Sequence, residues 1–169
     1  LCLNDDLSEA FELMAEDPLL KKVAEVLRGA RPWTFFSPFE GLVDSIIFQQ
    51  ISLRAAFSMI DALSLKFGSG LRVGSEVFRS FPEPADLAKA ALKQLKSCKL
   101  SARKAEYVKG AAKSVAEGKL RLEEISELPT EDAVARLMKL KGVGRWTAEL
   151  VMVAAIGLNI IPADDLGVR

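Results

Sequence analysis

The spacing of the apolar residues restricts this chain more than any other feature. They recur at steps of three and four from Leu7 onward, and nowhere do they alternate with polar residues over a run long enough to build a half-buried strand. Each segment therefore carries one apolar stripe that must be covered by another helix. An all-α fold with short connections and no strand is expected. Helices are predicted over 7–16, 19–27, 39–48, 53–67, 85–95, 101–117 and 131–140, with a further one starting near Arg145 or Trp146. Punctuation agrees: Asp17-Pro18 supplies a cap and a first turn, Ser52 and Ser101 stand where N-caps belong, and Thr130 can cap 131–140. Gly68, Gly70 and Gly74 read as helix breakers, and Pro82 and Pro84 as a turn.

Half of the 169 residues are hydrophobic and 27% are charged, so one domain can bury a core without disulfide staples. The chain has no histidine, which excludes Ser-His-Asp and Cys-His hydrolases, imidazole-ligated zinc and a histidine general base. Cys2 and Cys98 are too few for a four-cysteine cluster and read as reduced thiols. Catalysis would have to run on carboxylates, lysines, aromatics and backbone dipoles. The most apolar stretch, 151–161, falls short of the ~18 residues needed to span a bilayer and reads as a buried helix with its following turn. No membrane partner is expected. The chain opens at Leu1 without a leader-like layout.

Charge is balanced in total but not in position. Residues 1–90 carry 9 basic and 13 acidic side chains, a net −4; residues 91–169 carry 14 and 10, a net +4. Between Lys93 and Lys113 there are seven basic residues and a single acid, Glu106. That run is either a solvated helix face or a surface for a polyanion.

Leu140-Lys141-Gly142-Val143-Gly144, between an amphipathic and an apolar helix, has a helix-hairpin-helix pattern. Two glycines one residue apart permit a tight reversal and a close approach of backbone to ligand. The next helix begins at once, so its unpaired N–H groups add to those of the hairpin, and together they make a socket for a phosphate. Val143 is placed to plug the core, Lys139, Lys141 and Arg145 to surround the socket with positive charge, and Thr147 to add a hydroxyl. A plain helix end followed by a new helix is the competing reading of the tripeptide.

The stretch LMKLKGVGRWTAELVMVAAIG followed by IPADDLGVR resembles the helix-hairpin-helix DNA glycosylases, and within them the 3-methyladenine DNA glycosylase II type. FEGLVDSIIFQQIS and KLSARKAEYVKGAA resemble segments of the same family in the same order. The resemblance implies a two-lobed helical bundle with a base pocket between the lobes. One domain would span 1–169, with one lobe of about 1–35 plus a C-terminal part that this chain lacks, and the other of 36–160; the chain thus reads as truncated at its C-terminus. The implied activity is monofunctional hydrolysis of the N-glycosidic bond of alkylated purines, such as 3-methyladenine and 7-methylguanine, in damaged duplex DNA. A monomer is expected, in the cytoplasm beside the nucleoid, or in the nucleus of a eukaryote.

Residue by residue, the family's catalytic aspartate matches Asp165, which lies 19 positions after Trp146. A carboxylate there would stabilise an oxocarbenium-like transition state at C1′ and orient water. By spacing alone either Asp164 or Asp165 could simply cap a helix; the resemblance assigns the chemistry to Asp165 and leaves Asp164 as a helix cap or a supporting group. Bifunctional members carry a lysine where this chain has Trp146, so no strand-cleaving Schiff base is expected. An indole there can stack on a cationic alkylated base, or simply pack in the core. Leu150 stands where some relatives have a tyrosine, and Phe39, in an aromatic cluster with Trp33, Phe35 and Phe36, is either core or pocket wall. Gln49 and Gln50 match the wedge that fills the gap left by an extruded base, with Gln50 at the intercalating position; helix capping is the other reading. No cofactor is implied beyond a structural Na+ or K+ on the carbonyls of Met138, Leu140 and Val143. The remaining alternatives are a non-catalytic DNA-binding module and a glycosylase of the same fold acting on another lesion, such as oxidised guanine.

Overall fold

The structure is a computed structural model and describes residues 6–30, 35 and 37–157. The chain divides into two compact units, Leu1–Thr34 and Phe35–Arg169. In the first, α1 (Ser8–Glu16) packs on α2 (Pro18–Val26). Asp17 ends one helix and starts the other: its carboxylate accepts the Leu19 and Leu20 N–H groups at 2.7 and 3.1 Å, and Pro18 opens the new helix with its φ already set.

The second unit is built around α3 (Pro38–Phe48), capped by Ser37 and buried along nearly its whole length. Leu42, Val43, Ile46 and Ile47 are fully buried, and each contributes about 1.5–3 kcal/mol relative to exposure. The helix has no polar face because α4 (Leu53–Phe67), α7 (Ala102–Ala116), α9 (Arg145–Val151) and the π-helical turn Met152–Ile156 all pack against it. Gly41 permits one of these crossings: a Cβ there would collide with Ala155 and the Phe35 ring. A side chain on this helix breaks the apolar rule. Asp44 is only 4% exposed, and its Oδ1 has no hydrogen-bond partner among the described residues. Burial, and secondarily Glu40 one turn earlier, pushes its carboxyl up to about 8.

The predicted helices largely form, and Ser52 and Ser101 cap α4 and α7 by accepting the Ala55 and Lys104 N–H groups. Three expectations need correction. The glycines after α4 begin a β-hairpin, with β1 (Gly70–Val73) antiparallel to β2 (Glu76–Arg79) in the register Leu71↔Phe78 and Val73↔Glu76. All eight strand residues are exposed, so no buried face imposes a period-two pattern on the sequence. Gly74, at φ 63, supplies the turn. The segment predicted as one helix over 85–95 is two, α5 (Pro84–Lys89) and α6 (Leu92–Lys96). The chain is extended at Ala90 and Ala91, the Lys109 ammonium holds the Ala90 carbonyl, and the Gln94 side chain accepts the Ala91 N–H at 2.9 Å to start the second piece. Finally, α8 (Thr130–Leu137) is preceded by Pro129 as its N-cap residue; Thr130 is already helical and makes no capping bond. A 3-10 turn, Glu123–Glu127, leads into it.

No helix among the described residues is long and apolar enough to cross a membrane.

Candidate nucleic-acid interface

α8 ends in a sequence of tight turns. The Leu140 N–H donates to the Leu137 carbonyl at 3.0 Å and the Val143 N–H to the Leu140 carbonyl at 3.1 Å, after which α9 begins at Arg145. Val143 is buried in the core and anchors the reversal. The flanking glycines are there for different reasons. Gly142 sits at φ 88, and a Cβ would run into the Tyr107 ring. Gly144 has φ −94 and ψ 179, which any residue adopts, and nothing lies within 4 Å of where its Cβ would stand. Folding needs a glycine at 142; at 144 a side chain would project only into the open cleft.

That cleft, about 990 Å³, is walled by the hairpin backbone, by Gln49 and Gln50, by Trp146 and Thr147 at the start of α9, and by Ser101, Arg103, Lys104 and Tyr107 from the first turns of α7. The α7 residues were not singled out from the sequence as site residues. Their signal was the basic run, which composition alone left open between a solvated face and a binding surface.

The positive charge around the hairpin is less free than the sequence suggests. The Arg145 guanidinium is held as a fork by Glu131, at 2.6 and 3.1 Å, and its Nε donates to Glu149 at 2.8 Å. These carboxylates, Glu131 first, push the Arg145 pKa further up, and the guanidinium in turn lowers that of Glu131. Lys141 is 3.4 Å from Glu106 and 6.0 Å above the Tyr107 ring. Neither Arg145 nor Lys141 lines the cleft; Arg103 and Lys104 do. Thr147 is 3% exposed and its hydroxyl oxygen accepts from Gln49, which ties the start of α9 to the turn between α3 and α4.

The turn between α3 and α4 separates the two glutamines. Gln49 is half-buried and points inward, its amide donating to the Gly142 carbonyl at 2.8 Å and to Thr147 Oγ1 at 2.9 Å. A side chain so engaged ties the turn to the hairpin and is not available as a wedge. Gln50 is exposed at the tip with φ 55, a left-handed conformation costly for a residue with a Cβ.

Trp146 is half-buried in the cleft wall. Phe39 is core: it is 7% exposed and meets Phe81 edge-to-face at 6.2 Å, because α3 turns that side inward. Leu150 is half-buried on α9, outside the cleft lining. The Phe35 ring packs 6.4 Å from Phe48. Asp164, Asp165, Trp33 and Phe36 lie outside the described residues. At the hairpin, Met138, Leu140 and Val143 offer only backbone oxygens, a donor set that suits Na+ or K+. The Leu140 carbonyl already accepts one N–H and keeps a second lone pair.

Residues 43–169 match the model of the HhH-GPD superfamily base excision DNA repair proteins. The chain belongs to this superfamily. The HhH-GPD assignment is supported by the DNA-3-methyladenine glycosylase of Bacillus subtilis (strain 168), 31% identical over 98% of this chain and 55% of that relative. Among solved structures, the 3-methyladenine DNA glycosylase from Archaeoglobus fulgidus superposes with a TM-score of 0.88 at 36% identity, covering 98% of this chain and 56% of that one. The Clostridium acetobutylicum 8-oxoguanine glycosylase/lyase, in complex with duplex DNA containing cytosine opposite 8-oxoguanine, gives 0.79 at 28% identity over 91% of this chain and 52% of that one. The chain thus spans about half the length of each of these three proteins.

Proposed function

We propose that this chain belongs to a monofunctional DNA glycosylase that hydrolyses the N-glycosidic bond of alkylated purines in duplex DNA. The observation that carries the reading is the position of Trp146. It lines a cleft whose other walls are the glycine hairpin and the wedge turn. The hairpin amides grip a backbone phosphate, Gln50 enters the stack, and the extruded base lies against the indole. A methylated purine carries positive charge, so the indole face favours it over a neutral base by about 0.5–2 kcal/mol. The same charge makes the base a good leaving group, which suits a site without histidine.

Asp165 would stabilise positive charge at C1′ and orient the water. Lys104 is the one lysine among the described residues of the cleft, and it is tied to carbonyl oxygens as a donor rather than poised as an amine nucleophile. This supports hydrolysis without strand cleavage. A monovalent cation on the Met138, Leu140 and Val143 carbonyls would stiffen the hairpin.

Release of free base from methylated duplex DNA tests the proposal. The unaltered chain should release 3-methyladenine and 7-methylguanine in preference to hypoxanthine and 8-oxoguanine, and Asp165→Asn should lose about 100-fold or more of that rate with duplex affinity retained. Binding without release would mean a DNA-binding module, and preference for 8-oxoguanine a different lesion.

A further inference from the structure

We propose that Lys104 and Gln49 form one brace that holds the intercalating turn at a fixed offset from the phosphate-gripping hairpin, and that both are positioning residues for base extrusion. The inference rests on the function proposed above. Its physical basis is a continuous chain of hydrogen bonds across three parts of the fold. Lys104, in the first turn of α7, donates to the Ile47 carbonyl at 2.5 Å and the Gln49 carbonyl at 2.9 Å, the last acceptors of α3. The side chain of that same Gln49 donates to the Gly142 carbonyl in the hairpin and to Thr147 in α9. Lys104 therefore holds the backbone of the residue whose amide holds the hairpin.

Three features fit positioning better than ordinary surface chemistry. Lys104 is half-buried, and burial lowers its pKa; among the described residues no carboxylate forms an ion pair with it beside its carbonyl bonds. A cation at the C-terminus of α3 is matched to the negative end of that helix and to its unpaired carbonyls. Gln50 follows directly in a left-handed conformation that its neighbours must enforce. Without the two anchors on Gln49, nothing described holds Gln50 at φ 55, and the turn can relax to a conformation that points the wedge elsewhere.

Such a brace predicts a split between gripping and extruding. The probe is a duplex with an abasic-site analogue opposite 2-aminopurine, whose fluorescence rises on unstacking; affinity is read by anisotropy on an undamaged duplex. Lys104→Ala and Gln49→Ala should each shift the unstacking equilibrium at saturating protein by roughly ten- to hundredfold, as loss of a charge-assisted or buried hydrogen bond implies. Both residues also line the cleft, so each loss costs some affinity for the undamaged duplex, but by a smaller factor than it costs unstacking, whereas the control Lys99→Ala, which removes a charge outside the cleft, should change both less than about threefold. The double variant should cost no more than the larger single one, because both act through one linkage. Lys104→Gln, which keeps an N–H donor, replaces Lys104→Ala if the latter does not fold.

Additive effects, or affinity and unstacking falling in parallel, would overturn the brace and leave Lys104 a phosphate contact. Unchanged unstacking in both variants would overturn it too. Absence of any fluorescence rise with the unaltered chain would overturn the proposed function, and the brace with it; a normal rise insensitive to either substitution refutes the brace alone.

Discussion

Asp44→Asn should change how the stability of this chain depends on pH. The carboxyl is buried on α3 with one oxygen that has no hydrogen-bond partner among the described residues, and its proton is held until about pH 8, against 3.8 for an ordinary aspartate. The folded pKa is raised, so the contribution of Asp44 to stability is fully present below the unfolded value and is lost as pH rises toward the folded one. Between pH 4 and 8 the unfolded chain releases this proton and the folded chain keeps it, a slope of about 1.4 kcal/mol per pH unit. By pH 7 the accumulated loss is about 4 kcal/mol, a large share of the ~5–15 kcal/mol typical of a domain. An amide of the same shape has no proton to lose. Urea denaturation of parent and variant at pH 4.5, 5.5, 6.5 and 7.5 should show the variant gaining on the parent at each step, by about 4 kcal/mol in total. The change with pH is the decisive quantity, because whatever the amide gains or loses in its own contacts is the same at each pH. A constant difference would refute the reasoning and show that the folded chain accommodates the ionised carboxylate.

The two hairpin glycines should part company. Gly142→Ala must pay a left-handed backbone, about 1–2 kcal/mol, and displace the Tyr107 ring, so its melting temperature should fall clearly. Gly144→Ala should fold within about 1 kcal/mol of the parent while losing duplex affinity, and unaltered binding in an anisotropy titration would remove Gly144 from the contact surface. Glu131→Gln releases one side of the fork on Arg145 and should strengthen duplex binding a few-fold with a steeper salt dependence; weaker binding would show that the ion pair positions the hairpin. Despite a net charge of zero, binding should weaken steeply between 50 and 200 mM salt, since the cations concerned are local to the cleft. A flat response would contradict the phosphate assignment.

Much of the fold could be read in advance because its signals are local. The Asp17, Ser52 and Ser101 caps and the apolar stripes depend on neighbours a few positions away. The β-hairpin escaped because its residues are exposed on both faces and carry no pattern of burial. At the site, the hairpin and the wedge turn were legible as motifs, but the division of labour between Gln49 and Gln50 was not. It depends on a bond from Gln49 to a carbonyl 93 positions away. Arg145 is similar: its charge is visible in sequence, but its pairing with Glu131 comes from the way α8 and α9 fold back on each other. Arg103 and Lys104 were legible only as members of a basic run, because composition gives no direction to a side chain.

Gly144 opens α9 as its N-cap, where a hydroxyl or carboxylate would satisfy loose N–H groups and the unfolded chain would lose some freedom. The room for such a side chain is already there. Directed evolution of this protein under heat or protease challenge alone should therefore enrich Gly144→Ser and Gly144→Asp. The winners would be sturdier molecules with a blocked cleft, so selection for robustness has to be coupled to a DNA readout from the first round.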